Sequence, residues 1–281
     1  MRATPEAPVE EPQSIRDPAG QSPGDDRAQA GVAVEIDGVE HGFGQLRVLG
    51  GIDLRAGAGE VLGLVGPSGC GKSTLLELIG GLRDAGAGTI RVGGATSASE
   101  RLARCALMPQ RDLLLPWLSA IDNAALAPRN RGASRREARA IAHPLFERFG
   151  LAGFERARPT ELSGGMRQRI AFLRTLLAGK PVLLLDEPFA SLDAITRGEM
   201  QEWLATALAT EARTVVLVTH DVEEALYLCD RVAVLSPRPA TVAAELEGPA
   251  PRATPRIAAV TDPGLVAERE RALRAMRGDA P

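Results

Sequence analysis

The sequence predicts an α/β fold with a mainly parallel central sheet. Two kinds of segment carry that expectation. The runs EVLGLVG, VLLLDE and TVVLVTH are short and continuously apolar, as strands covered on both faces must be. Helix-period stretches separate them along the chain, which is the alternation of a parallel sheet with crossover helices. A third observation is sharper: the first of these runs passes through a glycine-rich turn directly into a helix.

Taken in order, residues 1–30 are rich in Pro, Glu, Asp, Gln and Ser and almost free of large apolar side chains. Such a segment buries too little surface to offset its ordering entropy, so a disordered tail is expected. It has no apolar h-region and is not a secretory signal. Order is expected from Val32, where VAVEIDGV alternates as a strand, part of an N-terminal antiparallel β portion. Residues 60–66, EVLGLVG, form a β-type run ending in glycine. KSTLLELIGGL then reads as a helix that stops at Gly80 and Gly81. Residues 113–151 show no strand signal, and SRREARAIAHPLFERFG is helical with a basic outer face. A helical subdomain, about residues 112–165, is therefore inserted into the sheet domain. VLLLDE, the crossover helix AITRGEMQEWLATALATE, TVVLVTH and RVAVLS complete the alternation. The main domain is expected over 31–240, with a C-terminal extension over 241–281 that carries the helix-like GLVAERERALRAM.

Composition bounds the function. The 281 residues are 44% hydrophobic and 25% charged, as in soluble globular proteins. A net charge of -3 and an aromatic content of 3% argue against a nucleic-acid partner, whether by charge or by base stacking. Cys70, Cys105 and Cys229 are odd in number and widely spaced, which fits neither a disulfide framework nor a metal site. No apolar run approaches the ~20 residues of a membrane span. The expected location is the cytosol, or a membrane surface reached through a partner.

The glycine-rich turn is GPSGCGKST. Gly66, Pro67, Ser68, Gly69, Cys70, Gly71, Lys72 and Ser73 satisfy G-x-x-x-x-G-K-[ST], and Thr74 follows. Its glycines let successive N–H groups point at phosphate oxygens beside a positive helix terminus. Lys72 brings a point charge to the β- and γ-phosphates, and the Ser73 hydroxyl suits Mg²⁺. A plain glycine turn is the competing reading; the strand before and the helix after it favour a nucleotide. Cys70 occupies a free position as a small filler. Asp186 ends an apolar strand, where a carboxylate completes the Mg²⁺ shell. Glu187, next to it, can orient and deprotonate an attacking water. Asp-Glu-Pro is also a strand terminator, but the phosphate loop favours the catalytic reading.

Together GPSGCGKST, MPQ, LSGGMRQR, LLLDEP, SLD and VTHD, in that order, resemble the ATP-binding subunit of ABC transporters over residues 32–236. LSGG is the specific element. The resemblance implies a P-loop NTPase core and a head-to-tail dimer, with ATP and Mg²⁺ between the phosphate loop of one copy and the LSGG of the other. Ser163, Gly164 and Gly165 lie just ahead of a helix, a second anion-binding terminus that by the resemblance grips the γ-phosphate held by the other copy. The resemblance gives Gln110 the Q-loop place near Mg²⁺ and the attacking water, and His220 the γ-phosphate switch. It puts Asp193 across the dimer interface and Phe43 on the adenine, where Tyr is usual. The segment AFLRT departs from the Ala-Arg-Ala often found after the signature, and a packing change is expected there.

DLLLPWLSAIDNAAL, DEPFASLDAITR and DVEEALYLCDRVAVLSPRPA look most like the nitrate, sulfonate and taurine uptake branch. The partners this implies are a second copy, permease subunits at the cytoplasmic face of the membrane, and indirectly an external solute-binding protein. Importers of hydroxymethylpyrimidine precursors or polyamines share most of the motifs and are the alternative. A soluble ABC ATPase working on ribosomes or DNA is the rival class, opposed by the single cassette, the lack of heptads and the lack of basic bias. Trp117 reads equally as an exposed anchor for a permease segment or as core filling of the subdomain.

Overall fold

The computed structural model describes residues 30–190, 192–248 and 254–277. The expected disordered tail lies outside the described residues, Ala30 apart. The first half of the chain builds β1 (Val34–Phe43), β2 (Leu46–Ala56), β3 (Val61–Val65), α1 (Lys72–Ile79), β4 (Ala87–Val92), α2 (Ala98–Arg104) and β5 (Cys105–Met108). The helical subdomain follows with α3 (Ala120–Ala124), α4 (Leu126–Asn130), α5 (Arg135–Arg148) and a 3₁₀ turn (Pro159–Glu161). The chain then returns through α6 (Gly164–Leu176), β6 (Val182–Asp186), α7 (Ala194–Ala209), β7 (Thr214–Val218), α8 (Val222–Leu228) and β8 (Arg231–Leu235). It ends with β9 (Val242–Glu247), α9 (Arg256–Val260) and α10 (Pro263–Arg277).

Two sheets result. β2, β1 and β4 form an antiparallel sheet in that order, the expected N-terminal β portion. The second sheet runs β5-β6-β7-β3-β8-β9 and is parallel except at β9. β3 sits between β7 and β8, so the loop leaving it emerges beside the end of β7, one strand from β6, in the crevice where open α/β sheets bind ligands. The apolar runs are continuous because each strand feeds two cores by alternation. Leu62, Leu64, Leu184 and Val216 face α1 and the antiparallel sheet, with Leu75, Ile79, Ile36 and Ile52. Leu183, Leu185, Val215 and Leu217 face the opposite way, toward Ile170 and Phe172 of α6 and Phe146 of α5.

Two elements differ from the sequence expectation. β5 has only four residues, too few for a periodic signal, and it exists because it pairs with β6. The six-stranded sheet also continues past residue 240, since β9 pairs antiparallel with β8. The C-terminal extension is tied to this sheet domain: Arg256 and Arg269 both bind Glu223 of α8, at 2.9 and 3.2 Å.

The subdomain is held by a buried charge. Asp122 of α3 is 1% exposed and accepts paired hydrogen bonds from the guanidinium groups of Arg135 and Arg139 on α5. A capping box between Ser134 and Glu137 starts α5. Phe149, Phe172 and Trp203 pack edge to face with centroids 5.2 to 6.2 Å apart, joining the end of α5 to α6 and α7.

Candidate nucleotide site

The phosphate loop closes tightly around its own backbone. A Cβ on Gly66 would meet the Leu235 carbonyl oxygen at 2.9 Å, and one on Gly71, with φ +124, would meet Val48 at 2.7 Å. Only glycine satisfies both places. α1 begins at Lys72, so the free N–H groups of its first turn open into the loop. Lys72 is buried, and its Nζ donates to the carbonyls of Gly66 at 2.8 Å and Pro67 at 3.1 Å, which centres the ammonium in the loop. Cys70 is buried filler as expected; burial pushes its thiol up, against the opposing charges of Lys72 and Arg238.

Ser73 Oγ donates to Asp186 Oδ1 at 3.1 Å. Burial raises the Asp186 carboxyl above its ordinary value; the Ser73 hydrogen bond lowers it, and the Glu187 charge raises it again. A half-buried carboxylate with one neutral donor is short of positive charge. Its oxygens and the Ser73 hydroxyl are the hard donors Mg²⁺ takes, so these residues fit that ion.

Glu187 stands at the end of β6 with φ +43, in the left-handed region. Its N–H donates to the Val218 carbonyl at 2.8 Å, fixing it against the end of β7. One oxygen, Oε2, accepts from Gln110 Nε2 at 3.3 Å and lies 3.1 Å from His220 Nδ1. Gln110 follows β5, Glu187 follows β6 and His220 follows β7, so three adjacent strands deliver one cluster. A carboxylate beside an imidazole and an amide can accept a proton from water and keep that water oriented.

Ser163, Gly164, Gly165 and Asp193 form a second group. Ser163 Oγ caps α6 by accepting from Met166 N at 3.2 Å. Asp193 caps α7 through the amides of Ile195 and Thr196, and those bonds hold its carboxyl below the ordinary value. The two helix starts abut: a Cβ on Gly164 would lie 3.2 Å from Leu192, and one on Gly165 3.0 Å from Thr196. Among the described residues no hydrogen bond joins this group to Lys72, Ser73, Asp186 or Glu187. One chain therefore presents two separate helix starts, at Lys72 and at Gly164. Phe43 is exposed, edge-on to His41 at 5.0 Å, with the Arg83 guanidinium 5.2 Å from its ring.

Several contributors escaped sequence reasoning. Arg174 on α6 donates to the carbonyls of Asp112 at 2.6 Å and Leu113 at 2.8 Å, and Arg167 to the Asp112 carboxylate at 3.1 Å. The helix after LSGG thus clamps the segment after Gln110, where Leu113 has φ +46. The seven-residue spacing of the two arginines, one helical face, is the signal that could have shown it. In AFLRT, where a packing change is expected, Leu173 and Thr175 are buried. Trp117 is 66% exposed and is not core. It lines a groove of about 690 Å³ with Arg135, Arg139, His143, Arg156 and Arg158. Among the described residues no helix is long and apolar enough to cross a membrane.

Comparison with known proteins agrees with this geometry. Residues 49–190 match the ABC transporter family. An aliphatic sulfonates import ATP-binding protein of Rhodococcus jostii is 47% identical over 73% of this chain and 80% of its own length. A formylaminopyrimidine import ATP-binding protein of Halalkalibacterium halodurans is 46% identical over 64% and 70%. A taurine import ATP-binding protein of Chromobacterium violaceum is 41% identical over 80% and 87%. Among solved structures, a dimeric ATP-binding cassette in a post-hydrolysis state with ADP and Pi superposes with a TM-score of 0.66 at 28% identity, over 77% of this chain and 99% of that one. With the α/β core, the phosphate loop and the carboxylate cluster in place, the chain belongs to the ABC transporter family as one of its ATP-hydrolysing subunits.

Proposed function

We propose that this chain drives an importer of a small solute from the cytoplasmic face of the membrane, working as a head-to-tail pair with permease subunits. The observation that carries the reading is the convergence of Gln110, Glu187 and His220 on one oxygen, beside the Ser73–Asp186 pair and the phosphate loop. ATP is the substrate. Residues 66–74 surround its phosphates, Phe43 covers the adenine, and Ser73, Asp186 and Gln110 would hold Mg²⁺, which would neutralise charge on the phosphate oxygens. Glu187 takes the proton of the attacking water, Gln110 orients that water, and His220 contacts the γ-phosphate. Ser163, Gly164, Gly165 and Asp193 serve the site of the other copy, which accounts for their separation from this chain's own loop.

The exposed Trp117 and the arginines of its groove suit an amphipathic permease segment with an acidic edge. The sulfonate and taurine relatives favour an organosulfonate or similar anion as the solute, delivered by an external binding protein. The formylaminopyrimidine relative, nearly as similar, supports a pyrimidine precursor as the second reading. Growth on taurine, an alkanesulfonate or a formylaminopyrimidine after deletion of the gene separates the two. The catalytic assignment is tested by Glu187→Gln. ATP binding and ATP-dependent dimerisation should persist, while turnover falls by ~10²-fold or more. Turnover near wild type removes Glu187 from its role.

A further inference from the structure

We propose that Glu224 is a positioning residue for hydrolysis, which fixes the His220 turn against the middle of α7 from inside the protein. The inference rests on the roles given above to Glu187 and His220. Glu224 lies in the first turn of α8, four residues beyond His220, yet it is only 5% exposed. Its Oε2 accepts from Gln201 Nε2 of α7 at 3.0 Å, and Gln201 is itself buried. A second hydrogen bond joins it to the hydroxyl of Thr219, the residue before His220.

Thr219 explains how a residue outside the site acts on it. Its Oγ1 accepts from the Asp221 N–H at 3.1 Å, which leaves the hydroxyl proton for Glu224. Its own N–H donates to the Leu64 carbonyl at 3.1 Å. The backbone on both sides of His220 is therefore pinned through one hydroxyl, and Glu224 sets where that hydroxyl points. On the other side stands Arg197, whose charge acts on Glu224. Arg197 Nη2 donates to the Leu192 carbonyl at 3.1 Å, in the turn that presents Asp193, and its buried Nε has no hydrogen-bond partner among the described residues. Glu187, Ala190, Arg197, Thr219, His220 and Glu224 line one small cavity beneath the catalytic cluster.

A carboxylate this deep is costly, and an aliphatic side chain would fill the same volume without that penalty. What it adds is a strong acceptor shared by the His220 turn and the helix that begins at Asp193. The groups facing it are Arg197 and Gln201 from α7 and Thr219 and Asp221 from the turn, with Glu187 and His220 across the cavity. Burial pushes its carboxyl up to about 7, so its charge changes close to neutral pH.

The test measures kcat and KM for ATP between pH 6 and 9, on the full chain, for wild type, Glu224→Gln, Thr219→Val and Thr219→Ser. Wild-type kcat should rise through neutral pH as Glu224 ionises. Glu224→Gln should lower kcat ~10-fold at pH 8, abolish that rise, and leave KM within ~2-fold, because misplacing a reacting group lowers turnover more than binding. Thr219→Val should lower kcat similarly and Thr219→Ser restore it, which also decides the matter if Glu224→Gln does not fold. Wild-type kcat and pH profile in Glu224→Gln, or in Thr219→Val, overturn the proposal. If Glu187→Gln is inactive in the same assay, that failure leaves the reading of the site intact; if Glu187→Gln is active, the reading itself fails.

Discussion

Arg174 should control turnover from a distance, and the structure sets the size of the effect. Its guanidinium donates to the carbonyls of Asp112 and Leu113 at 2.6 and 2.8 Å, two charge-assisted bonds worth about 1.5–3 kcal/mol each when sheltered. The Leu113 end is open to solvent, so a combined value of ~2 kcal/mol is reasonable after screening. Leu113 sits at φ +46, a strain of about 1–3 kcal/mol that the clamp must hold against relaxation. Arg174→Met keeps the apolar stem and removes both bonds. If the clamp biases the segment that carries Gln110, losing ~2 kcal/mol reduces the competent population by up to ~30-fold. We expect kcat to fall ~10- to 30-fold with KM for ATP nearly unchanged, and faster amide exchange over residues 110–115. Arg174→Lys should recover part of the loss by reaching one carbonyl. A kcat within ~2-fold of wild type, alongside a drop of several degrees in Tm, would refute the reasoning and leave Arg174 a packing residue.

Three further outcomes follow from the same geometry. Asp122→Asn should destabilise the protein by ~2 kcal/mol at pH 7, less than for a fully buried pair because Arg135 and Arg139 remain half-exposed. Hydrogen bonds from Arg139 and Arg135 hold the Asp122 carboxyl well below its ordinary 3.8, so its contribution is complete above that value and is lost as pH falls below it. Urea midpoints of the two proteins should therefore converge in acid, and parallel curves would contradict the ion-pair account. Trp117→Ala should lower uptake and permease association while the free subunit keeps its ATPase rate and Tm, since the indole is exposed; equal losses in both assays would make the residue structural. Ser163→Arg should spare nucleotide binding by the monomer and stop ATP-driven dimerisation, seen by size-exclusion chromatography; lost monomer binding would place the LSGG turn in its own chain's site.

Much of this architecture was legible because its signals are local. The phosphate loop needs glycines at fixed offsets between a strand and a helix, and GPSGCGKST carries both its chemistry and its context. VLLLDE and TVVLVTH announced central strands because sheets buried on both faces demand unbroken apolar runs. β5 and β9 carried no such mark, since a four-residue strand has no measurable period and β9 is a half-exposed edge. Asp122, Arg174 and Glu224 were invisible for another reason. Their partners on other elements lie 13 to 62 residues away, and nothing in the local sequence distinguishes a buried carboxylate from a solvated one. Trp117 stood between two readings, and only the packing of the subdomain, which leaves the indole outside, separates them.

The backbone of Glu187 has a consequence for how such a protein can be stabilised. At φ +43 the residue occupies a conformation that glycine adopts freely and other L-residues adopt at roughly 1–2 kcal/mol, and Pro188 behind it narrows the alternatives further. Glycine or asparagine there would ease the backbone, but would give up the contacts with Gln110 and His220 and, on the role proposed above, the group that takes the water's proton. The position thus sets backbone ease against the proposed catalytic group, and any screen for stabilised variants must score hydrolysis alongside melting.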